Sequence, residues 1–540
     1  MSLRNAPMRD GKYIGNLTDK QIKIIEQVRK LEVIPGLKNI IYDYPPELVD
    51  KAYNEGQAIE IEGEEEGGEE EEKPKGELTD VQTVGVGFMY FSKHSLLGDG
   101  TGTGKTVQLS GLINLLERKK ELTRALIVTD NTAGQQIAKK IIRFTGLCTI
   151  DLAGLTGKKL EKKLNSTDWD KVKCVIIQHS QVTNDLLANW LAQYTEANGK
   201  SSFYNTFVFD ESSAIKNVKT NIASYTREYS RQADRVHILN ATPIETGLKD
   251  IYTQLDLMYE KFLPRWWRIE EKYCRVGNKS YWITQKGIRI QKFTREIIGY
   301  KNTEEFSKSI ELFYLARGIK KADNAEYKVY TIEPTVDQLL AINRGNNANI
   351  VLNCPSILEE IGIPTKRETV PKLDFLLTMV ETEYKEESIY IYCFNKDAQY
   401  ELYRELSKVG IKVEVLNGET ISEERQQIIE KFNRGEIRVL ISNIKRSLDL
   451  AGGDICIYYT VLGNPANVEQ IKGRIDRHTD DRVKKFIALV YKGTVEEKLF
   501  NKSVLRSEWA QELTNTEKTA TNYLAEALEE DKSKGEVISI

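Results

Sequence analysis

Short runs of apolar residues recur along this chain, and each run is followed by a segment with helix-like spacing. One set comprises Ala125–Val128, Val175–Ile177, Phe207–Phe209 and Val236–Leu239; a second comprises Ile389–Phe394, Val413–Leu416, Arg438–Ser442, Ile455–Tyr459 and Phe486–Tyr491. Continuous apolar strands that alternate with helices are typical of parallel sheets covered on both faces. The pattern predicts an α/β fold with two parallel-sheet lobes in tandem.

The region between the two sets is basic and aromatic. From Arg265 to Lys301 there are ten Lys or Arg and three acids, and Trp266, Trp267 and Trp282 are half of the chain's six Trp. Basic residues interleaved with aromatics suit a surface that neutralises phosphates and stacks on bases. The same pattern fits an insertion whose aromatics form a small core and whose charges are solvated, and both alternatives stay open. We predict a mainly helical insertion and inter-lobe linker over residues 263–370.

An acidic stretch precedes the first lobe. Residues 60–77 contain ten Glu and four Gly, too little apolar surface to offset the entropy of ordering the segment. We predict a disordered linker over 59–77 that separates an N-terminal accessory segment (1–58) from the main body. A plain solvated tether and a docking segment for a protein partner are both consistent with this composition.

Bulk properties narrow the class of protein. The net charge is −3, so any nucleic-acid site must be a local patch. The six Cys are scattered without a C-x-x-C pair, which predicts buried free thiols in a reducing compartment. The chain has neither a signal-peptide pattern nor an apolar run of membrane-spanning length, so we expect a cytoplasmic protein without a membrane partner.

The loop Gly98–Thr106 ends in Gly-Lys-Thr, and before Lys105 it consists of Gly and Thr apart from Asp99. Such a loop turns its backbone N–H groups inward around phosphate oxygens, and a helix predicted from about 105 to 119 aims its positive end at them. Lys105 would reach the β- and γ-phosphates of ATP, and the Thr106 hydroxyl would bind Mg²⁺. The residues that form the cradle are Gly100, Gly102, Thr103 and Gly104.

Two acids follow the apolar run Phe207–Phe209. At the carboxyl end of a parallel strand, Asp210 would hold Mg²⁺ and Glu211 would accept a proton from the attacking water. Ala241 and Thr242 follow another predicted strand. Arg474 and Arg477 are three residues apart, so on one helix they would share a face and could contact the γ-phosphate from the second lobe.

The order of these segments resembles the superfamily 2 helicase-type ATPases, and within them the Swi/Snf-like DNA translocases. Asp210–Asn217 is similar to the family's "D-E-A-H-x-I-K-N", and Gln82 stands where the family has a Gln that contacts adenine. Asp99 falls where this branch itself has Asp. Further similar segments are Asp99–Thr106, Ala241–Glu245, Gly299–Phe306, Leu315–Arg317, and the set Gln470, Gly473, Arg474 and Arg477.

The resemblance implies two RecA-like lobes, residues 78–262 and 371–500, followed by a helical tail over 501–540. It implies catalytic roles for Lys105, Asp210, Glu211, Gln470, Arg474 and Arg477, with coupling through Ala241 and Thr242. Implied nucleic-acid contacts are Asn131, His179, Ser180, Trp266, Trp267, Arg317, Ser442, Lys445 and Arg446. The chain departs from the family pattern at Ser212-Ser213, where Ala-His is usual, and at Asp449.

The function that the resemblance implies is ATP-driven translocation on DNA, duplex or forked. A strand-separating or annealing helicase is one alternative. A factor that displaces proteins from transcription or replication complexes is another, and its partner would bind the N-terminal segment or the acidic linker.

Overall fold

The computed structural model describes residues 8–9, 12–13, 37–59, 74–100, 102–130, 133–199, 202–217, 219–258, 264–285, 288–317, 325–354, 359–360, 362, 370–444, 448, 450–476 and 482–514. The chain divides into two compact units, the first of which runs to Arg317. Among the described helices, none combines the length and the apolar character needed to cross a membrane. All six cysteines are buried free thiols.

The first unit contains a seven-stranded parallel sheet in the order β11-β3-β8-β7-β4-β6-β5. The four strands predicted for this lobe are present. The strands are β3 (His94–Leu97), β4 (Ala125–Thr129), β5 (Thr149–Asp151), β6 (Cys174–Gln178), β7 (Thr206–Asp210), β8 (Arg235–Leu239) and β11 (Tyr314–Leu315). Because β4, β7 and β8 lie inside the sheet with helices on both faces, every residue of β4 and β8 is buried.

Ten helices belong to the described part of this unit. They are α1 (Pro46–Glu55), α2 (Asp80–Ser92), α3 (Lys105–Arg118), α4 (Gly134–Thr145), α5 (Gly157–Ser166), α6 (Asp185–Ala197), α7 (Asn221–Arg231), α8 (Leu248–Met258), α9 (Trp266–Tyr273) and α10 (Thr303–Ile310). The helix predicted after the Gly-Lys-Thr loop is α3. A side-chain capping box between Thr79 and Gln82 fixes the start of α2.

The N-terminal segment is not separated from the first lobe, contrary to the prediction. Leu37, Ile40 and Ile41 lie in the same apolar core as α3 and β4. Tyr42 pairs with Lys75 in a β-bridge, and Gly76 N donates to Ile41 O at 3.0 Å. Residues 37–59 and 74–77 therefore build part of the lobe, whereas residues 60–73 of the predicted linker lie outside the described residues.

The prediction of a mainly helical insertion over residues 263–370 is wrong for the region after α9. The antiparallel strands β9 (Cys274–Gln285) and β10 (Ile288–Tyr300) form a long hairpin there. Near the N-terminus, the two-residue strands β1 (Met8–Arg9) and β2 (Lys12–Tyr13) pair in antiparallel orientation.

The second unit contains a six-stranded parallel sheet in the order β12-β17-β16-β13-β15-β14. Its strands are β12 (Ala325–Ile332), β13 (Ile389–Tyr392), β14 (Val413–Leu416), β15 (Val439–Ser442), β16 (Ile455–Tyr458) and β17 (Lys484–Tyr491). Ile389 and Ile391 pack into one apolar core while Tyr390 and Tyr392 pack into another, because successive side chains point to opposite faces. The five predicted strands are present, and β12 is an addition.

The helices of the second unit complete both cores. They are α11 (Val336–Asn343), α12 (Ala348–Asn353), α13 (Pro371–Glu381), α14 (Lys396–Lys408), α15 (Ser422–Asn433), α16 (Pro465–Ile475) and α17 (Val495–Thr514). The prediction of an α/β fold with two parallel-sheet lobes is thereby confirmed.

Candidate active site

The Gly-rich loop follows β3 and leads directly into α3. Gly102 (φ +84°) and Gly104 (φ +79°) are left-handed, a conformation that side-chain-bearing residues rarely adopt. Lys105 is the first residue of α3, and its Nζ donates to Asp99 O at 2.8 Å and to Gly100 O at 3.2 Å. The loop therefore holds an ammonium group at a helix N-terminus, an arrangement suited to binding phosphate.

Gln82 lies against this loop. Its Nε2 donates to Thr103 O at 3.3 Å, while its Oε1 accepts from Thr79 N at 3.0 Å. The left-handed φ of Gly104 favours glycine, and a Cβ there would lie 2.5 Å from Gln82 Nε2 and would displace that amide. The structure thus brings together Gln82, Thr103, Gly104 and Lys105 as predicted, while Thr101 lies outside the described residues.

Asp99 is explained by a contact that the sequence did not reveal. Its fully buried carboxylate accepts three hydrogen bonds from Arg317: the main-chain N at 3.0 Å, Nε at 3.0 Å and Nη2 at 2.6 Å. Gln108 Nε2 adds a fourth at 3.1 Å. Arg317 Nη1 donates to Val81 O at 2.6 Å, next to Gln82. This Asp99–Arg317 clamp joins the Gly-rich loop to the segment that follows β11.

The clamp corrects the expectation for Arg317. Its guanidinium is 21% exposed and is held in a bidentate pair, so it serves the loop rather than a nucleic-acid surface. The clamp also accounts for Gly85, because a Cβ there would collide with the Gln108 side chain and lie 2.8 Å from Arg317 Nη2.

The two predicted acids stand at the carboxyl end of β7. Glu211 has φ +53° and ψ +60°, an uncommon conformation for a residue with a side chain. Its N–H donates to Leu239 O at 2.9 Å, and the carbonyl of Asp210 accepts from His179 Nε2 at 2.8 Å. The His179 ring stacks on Phe209 with 4.9 Å between centroids. His179 thereby fixes the backbone of the acid pair, and its contact with nucleic acid stays a prediction.

The electrostatics of the pair favour a cation. Burial raises the pKa of Asp210, the neighbouring Glu211 charge raises it further, and Lys105 and the hydrogen bond from Thr129 Oγ1 at 3.1 Å oppose the shift. Carboxylate and hydroxyl oxygens are the ligands that Mg²⁺ prefers, so Asp210 and the Thr106 hydroxyl fit the ion. Bound there, Mg²⁺ would neutralise phosphate charge in the transition state.

The second unit supplies the remaining predicted residues. Gln470 is buried in α16, and Arg474 Nη1 lies 3.5 Å from Leu448 O. The helix ends at Ile475 and Asp476 is extended, so the single helical face expected for Arg474 and Arg477 does not extend that far. Arg477 itself lies outside the described residues.

Comparison with known families assigns both units. The family described as "SNF2-related domain" matches residues 81–276, and "Helicase conserved C-terminal domain" matches residues 371–479. The chain belongs to the Swi/Snf-like branch of the superfamily 2 helicase-type ATPases. The match to the first domain contains the Gly-rich loop and the acid pair, and the match to the second contains α16.

Individual relatives are distant. The chain is 24% identical to the "Putative ATP-dependent helicase/translocase YwqA" of Bacillus subtilis over 82% of its length. It is 23% identical over 93% of its length to the Xenopus laevis "SWI/SNF-related matrix-associated actin-dependent regulator of chromatin subfamily A-like protein 1". The chain spans about half the length of each, 50% in both cases. A solved structure, the "Sulfolobus solfataricus SWI2/SNF2 ATPase core in complex with dsDNA", is 17% identical with a TM-score of 0.38, covering 81% of this chain and 94% of that one.

The departure from the Swi/Snf-like pattern at Ser212 creates a buried hydrogen-bond network. Ser212 Oγ accepts from Asn240 Nδ2 at 2.8 Å and donates to Gln254 Oε1. Asn240 Oδ1 accepts from Thr242 N at 3.0 Å, and Gln254 Nε2 donates to Pro243 O at 2.8 Å. All three side chains are buried. This Ser212 network links the segment after the acid pair to the segment that contains Ala241 and Thr242.

The predicted nucleic-acid contacts of the Swi/Snf-like chain fall into three groups. Ser180 and Trp267 are exposed, the latter by 54%. Trp266 packs on Tyr252, and Ser442 is fully buried with its Oγ accepting from Ile444 N at 3.0 Å, so Ser442 does not reach a ligand surface. Asn131, Lys445, Arg446 and the departing Asp449 lie outside the described residues.

Proposed function

We propose that this chain is an ATP-hydrolysing motor that moves along duplex DNA. The observation that carries the proposal is the meeting of three strand ends at one edge of the first sheet. Asn240 N donates to Leu97 O at 3.0 Å, and Glu211 N donates to Leu239 O at 2.9 Å. These bonds join the ends of β3, β8 and β7, which are neighbours in the sheet. The phosphate loop, the acid pair and Thr242 therefore share one edge, where α/β proteins bind ligands.

Each of these groups has a role in ATP hydrolysis. Lys105 would bind the β- and γ-phosphates, and Glu211 would take the proton of the attacking water. The Thr242 hydroxyl is buried and makes no hydrogen bond within the described residues. We assign it to coupling, since a buried hydroxyl without a partner is costly unless a second state supplies one. Gln470, Arg474 and Arg477 of the second lobe would contact the γ-phosphate.

Movement along DNA is supported by family membership and by relatives whose names include "helicase/translocase" and "SWI/SNF-related". In this proposal one cycle of ATP binding and hydrolysis changes the arrangement of the lobes and advances one of them along a strand. A protein partner, if the motor displaces other proteins, would bind through the N-terminal segment or residues 59–77.

ATP hydrolysis measured with duplex, single-stranded and forked DNA and with RNA tests the proposal. We expect duplex DNA to stimulate hydrolysis most, and we expect displacement of a third strand from a triplex without separation of a fork. Glu211→Gln should lower kcat by about 10²–10⁴, the usual contribution of a general base. Full DNA-stimulated hydrolysis by Glu211→Gln or Lys105→Ala would refute the assignment, and ATP-dependent fork separation would favour a helicase.

A further inference from the structure

The hairpin of β9 and β10 has two chemically different faces. Paired residues of an antiparallel ribbon share a face, and the face alternates along each strand. Arg289, Gln291, Phe293 and Arg295 alternate along β10 and are paired with Thr284, Trp282, Ser280 and Asn278. We call this the Arg face. The opposite Lys face carries Lys292, Thr294 and Glu296 from β10 and Lys279 from β9.

The Arg face is exposed and cationic. Phe293 is 74% exposed, and the Arg295 side chain is 69% exposed. No acid occupies a register position on this face, although Glu270 of α9 lies 3.5 Å from Arg295 Nη2. On the Lys face, Glu296 pairs with Lys279 at 3.0 Å, so each face has two cations, at least one of which has an acid partner. The Arg face is distinguished by its arginines and by the exposed Phe293 between them.

An exposed phenylalanine between two arginines is unsuited to a core. Most of the Phe293 ring contacts solvent, so it contributes little to a hydrophobic core. A large exposed apolar side chain beside polar groups marks a site of interaction. Arginine binds phosphate through paired N–H donors, so the neighbouring charges favour a phosphate-bearing partner over an apolar one.

We infer that the Arg face of this hairpin docks on the backbone of duplex DNA. The inference rests on the proposed function, because it names a second contact for the same DNA. Arg295 is six positions after Arg289, which places the two about 20 Å apart along a strand. That span is close to the rise of about six base pairs. A two-stranded ribbon also fits the width of the major groove, where Phe293 could meet a thymine methyl group.

Most of the hairpin lies outside the segments that the family descriptions match. Gly277–Tyr300 lies between the two ranges that the family descriptions match, 81–276 and 371–479. The two family matches therefore do not include the residues of the Arg face.

Two double variants of the full chain with equal charge change test the inference. Arg289→Gln with Arg295→Gln alters the Arg face, and Lys279→Gln with Lys292→Gln alters the Lys face as a matched control. The affinity for duplex DNA is measured across a salt series. The slope of log K against log salt concentration should fall in magnitude by about 0.9 for each phosphate contact removed. We expect a loss of about 1.8 for the Arg-face variant and less than half of that for the control. Phe293→Ala should lower affinity with little change in slope.

The outcomes separate this inference from the proposed function. If the unmodified chain is not stimulated by any nucleic acid, the proposed motor function fails. If it is stimulated by duplex DNA but both double variants lose the same slope, or neither loses any, the docking inference alone is overturned. Unchanged DNA binding together with loss of a protein complex would also overturn it. Equal thermal unfolding midpoints for the two variants establish that folding does not explain the difference.

Discussion

At the scale of single residues, Ser212 illustrates how one hydroxyl can connect two catalytic segments. The side chain both accepts from Asn240 and donates to Gln254, and these residues in turn hold Thr242 N and Pro243 O. A displacement at the acid pair is therefore opposed by bonds to the coupling segment. A second link is the ion pair between Lys216 and Glu245, whose side chains are 19% and 8% exposed.

Ser212→Ala should weaken this connection. Removal of the hydroxyl leaves two buried amides without their partner, which costs about 1–3 kcal/mol. We expect a lower unfolding free energy of the first lobe and a smaller stimulation of ATP hydrolysis by DNA, with the KM for ATP unchanged. Ser224→Ala, at an exposed position of α7, is the control. The coupling role is excluded if both variants respond equally to DNA.

The Asp99–Arg317 clamp gives a second prediction. Arg317→Ala leaves the buried Asp99 carboxylate without its charge partner, a change that costs about 3–5 kcal/mol in other buried pairs. We expect a raised KM for ATP and lower thermal stability, because the clamp orders the phosphate loop. Asp99→Asn combined with Arg317→Ala should cost less than the sum of the single changes. Additive costs in this double-mutant cycle would show that the two side chains do not act as a pair.

At the scale of elements, the sequence predicted what local patterns determine. Strands such as β4 and β8 are buried on both faces, so they appear as continuous apolar runs. β11 has two residues, and its pairing with β3 depends on chain more than 200 positions away in sequence, which no local pattern encodes. The prediction of a mainly helical insertion is wrong at the hairpin. Arg, Lys and Gln recur along both of its strands, and these residues are also strong helix formers.

The same limit applies to the site. Lys105, Asp210 and Glu211 were recognisable because phosphate loops and strand-end acids have short local signatures. The role of His179 could not be recognised in the sequence, because it depends on the fold bringing the ring to Asp210 O. The missed clamp residue Gln108 lies on α3, one turn after the loop, and its buried amide is a feature of the fold that no sequence pattern marks.

The second lobe contains a buried ion pair that joins three helices. Lys372 of α13 and Glu496 of α17 are 0% and 1% exposed, with Nζ and Oε2 2.6 Å apart. Asn353 of α12 contacts both, with 3.1 Å to Lys372 Nζ and 2.8 Å to Glu496 Oε1. Burial lowers the pKa of Lys372 and the Glu496 charge opposes that shift. Hydrogen bonds thus compensate two charges that are removed from water.

Lys372→Met should destabilise the second lobe by about 3–5 kcal/mol, because Glu496 would remain buried without a counter-charge. Hydrogen exchange by mass spectrometry of the full chain can localise the effect to α12, α13 and α17. Lys372→Met with Glu496→Leu should recover most of the lost protection. Lys492→Met, which removes an exposed lysine of the same lobe paired with Glu333, is the control and should change little.

At the scale of the whole molecule, the proposed motor distributes binding and catalysis between two units. Residues that would hold ATP come from the first lobe, whereas Arg474 comes from the second. Arg474→Ala should therefore lower kcat by about a thousandfold or more, the range for arginine fingers, while leaving ATP affinity close to that of the unmodified chain. Lys105→Ala should lower affinity itself. Fluorescent-nucleotide binding and single-turnover hydrolysis separate the two effects, and a large loss of ATP affinity in Arg474→Ala would contradict this division.

The late closure of the first sheet has a consequence for synthesis on the ribosome. Leu96 N, Gly98 N and Gly100 N donate to the carbonyls of Phe313, Leu315 and Arg317. A nascent chain that has reached residue 276, where the family match ends, still has β3 as an unpaired sheet edge, the kind of surface that promotes aggregation. The nucleotide loop takes its final form only after the hairpin has emerged, so a fragment cut at the end of the family match would lack both an edge strand and the partner of Asp99.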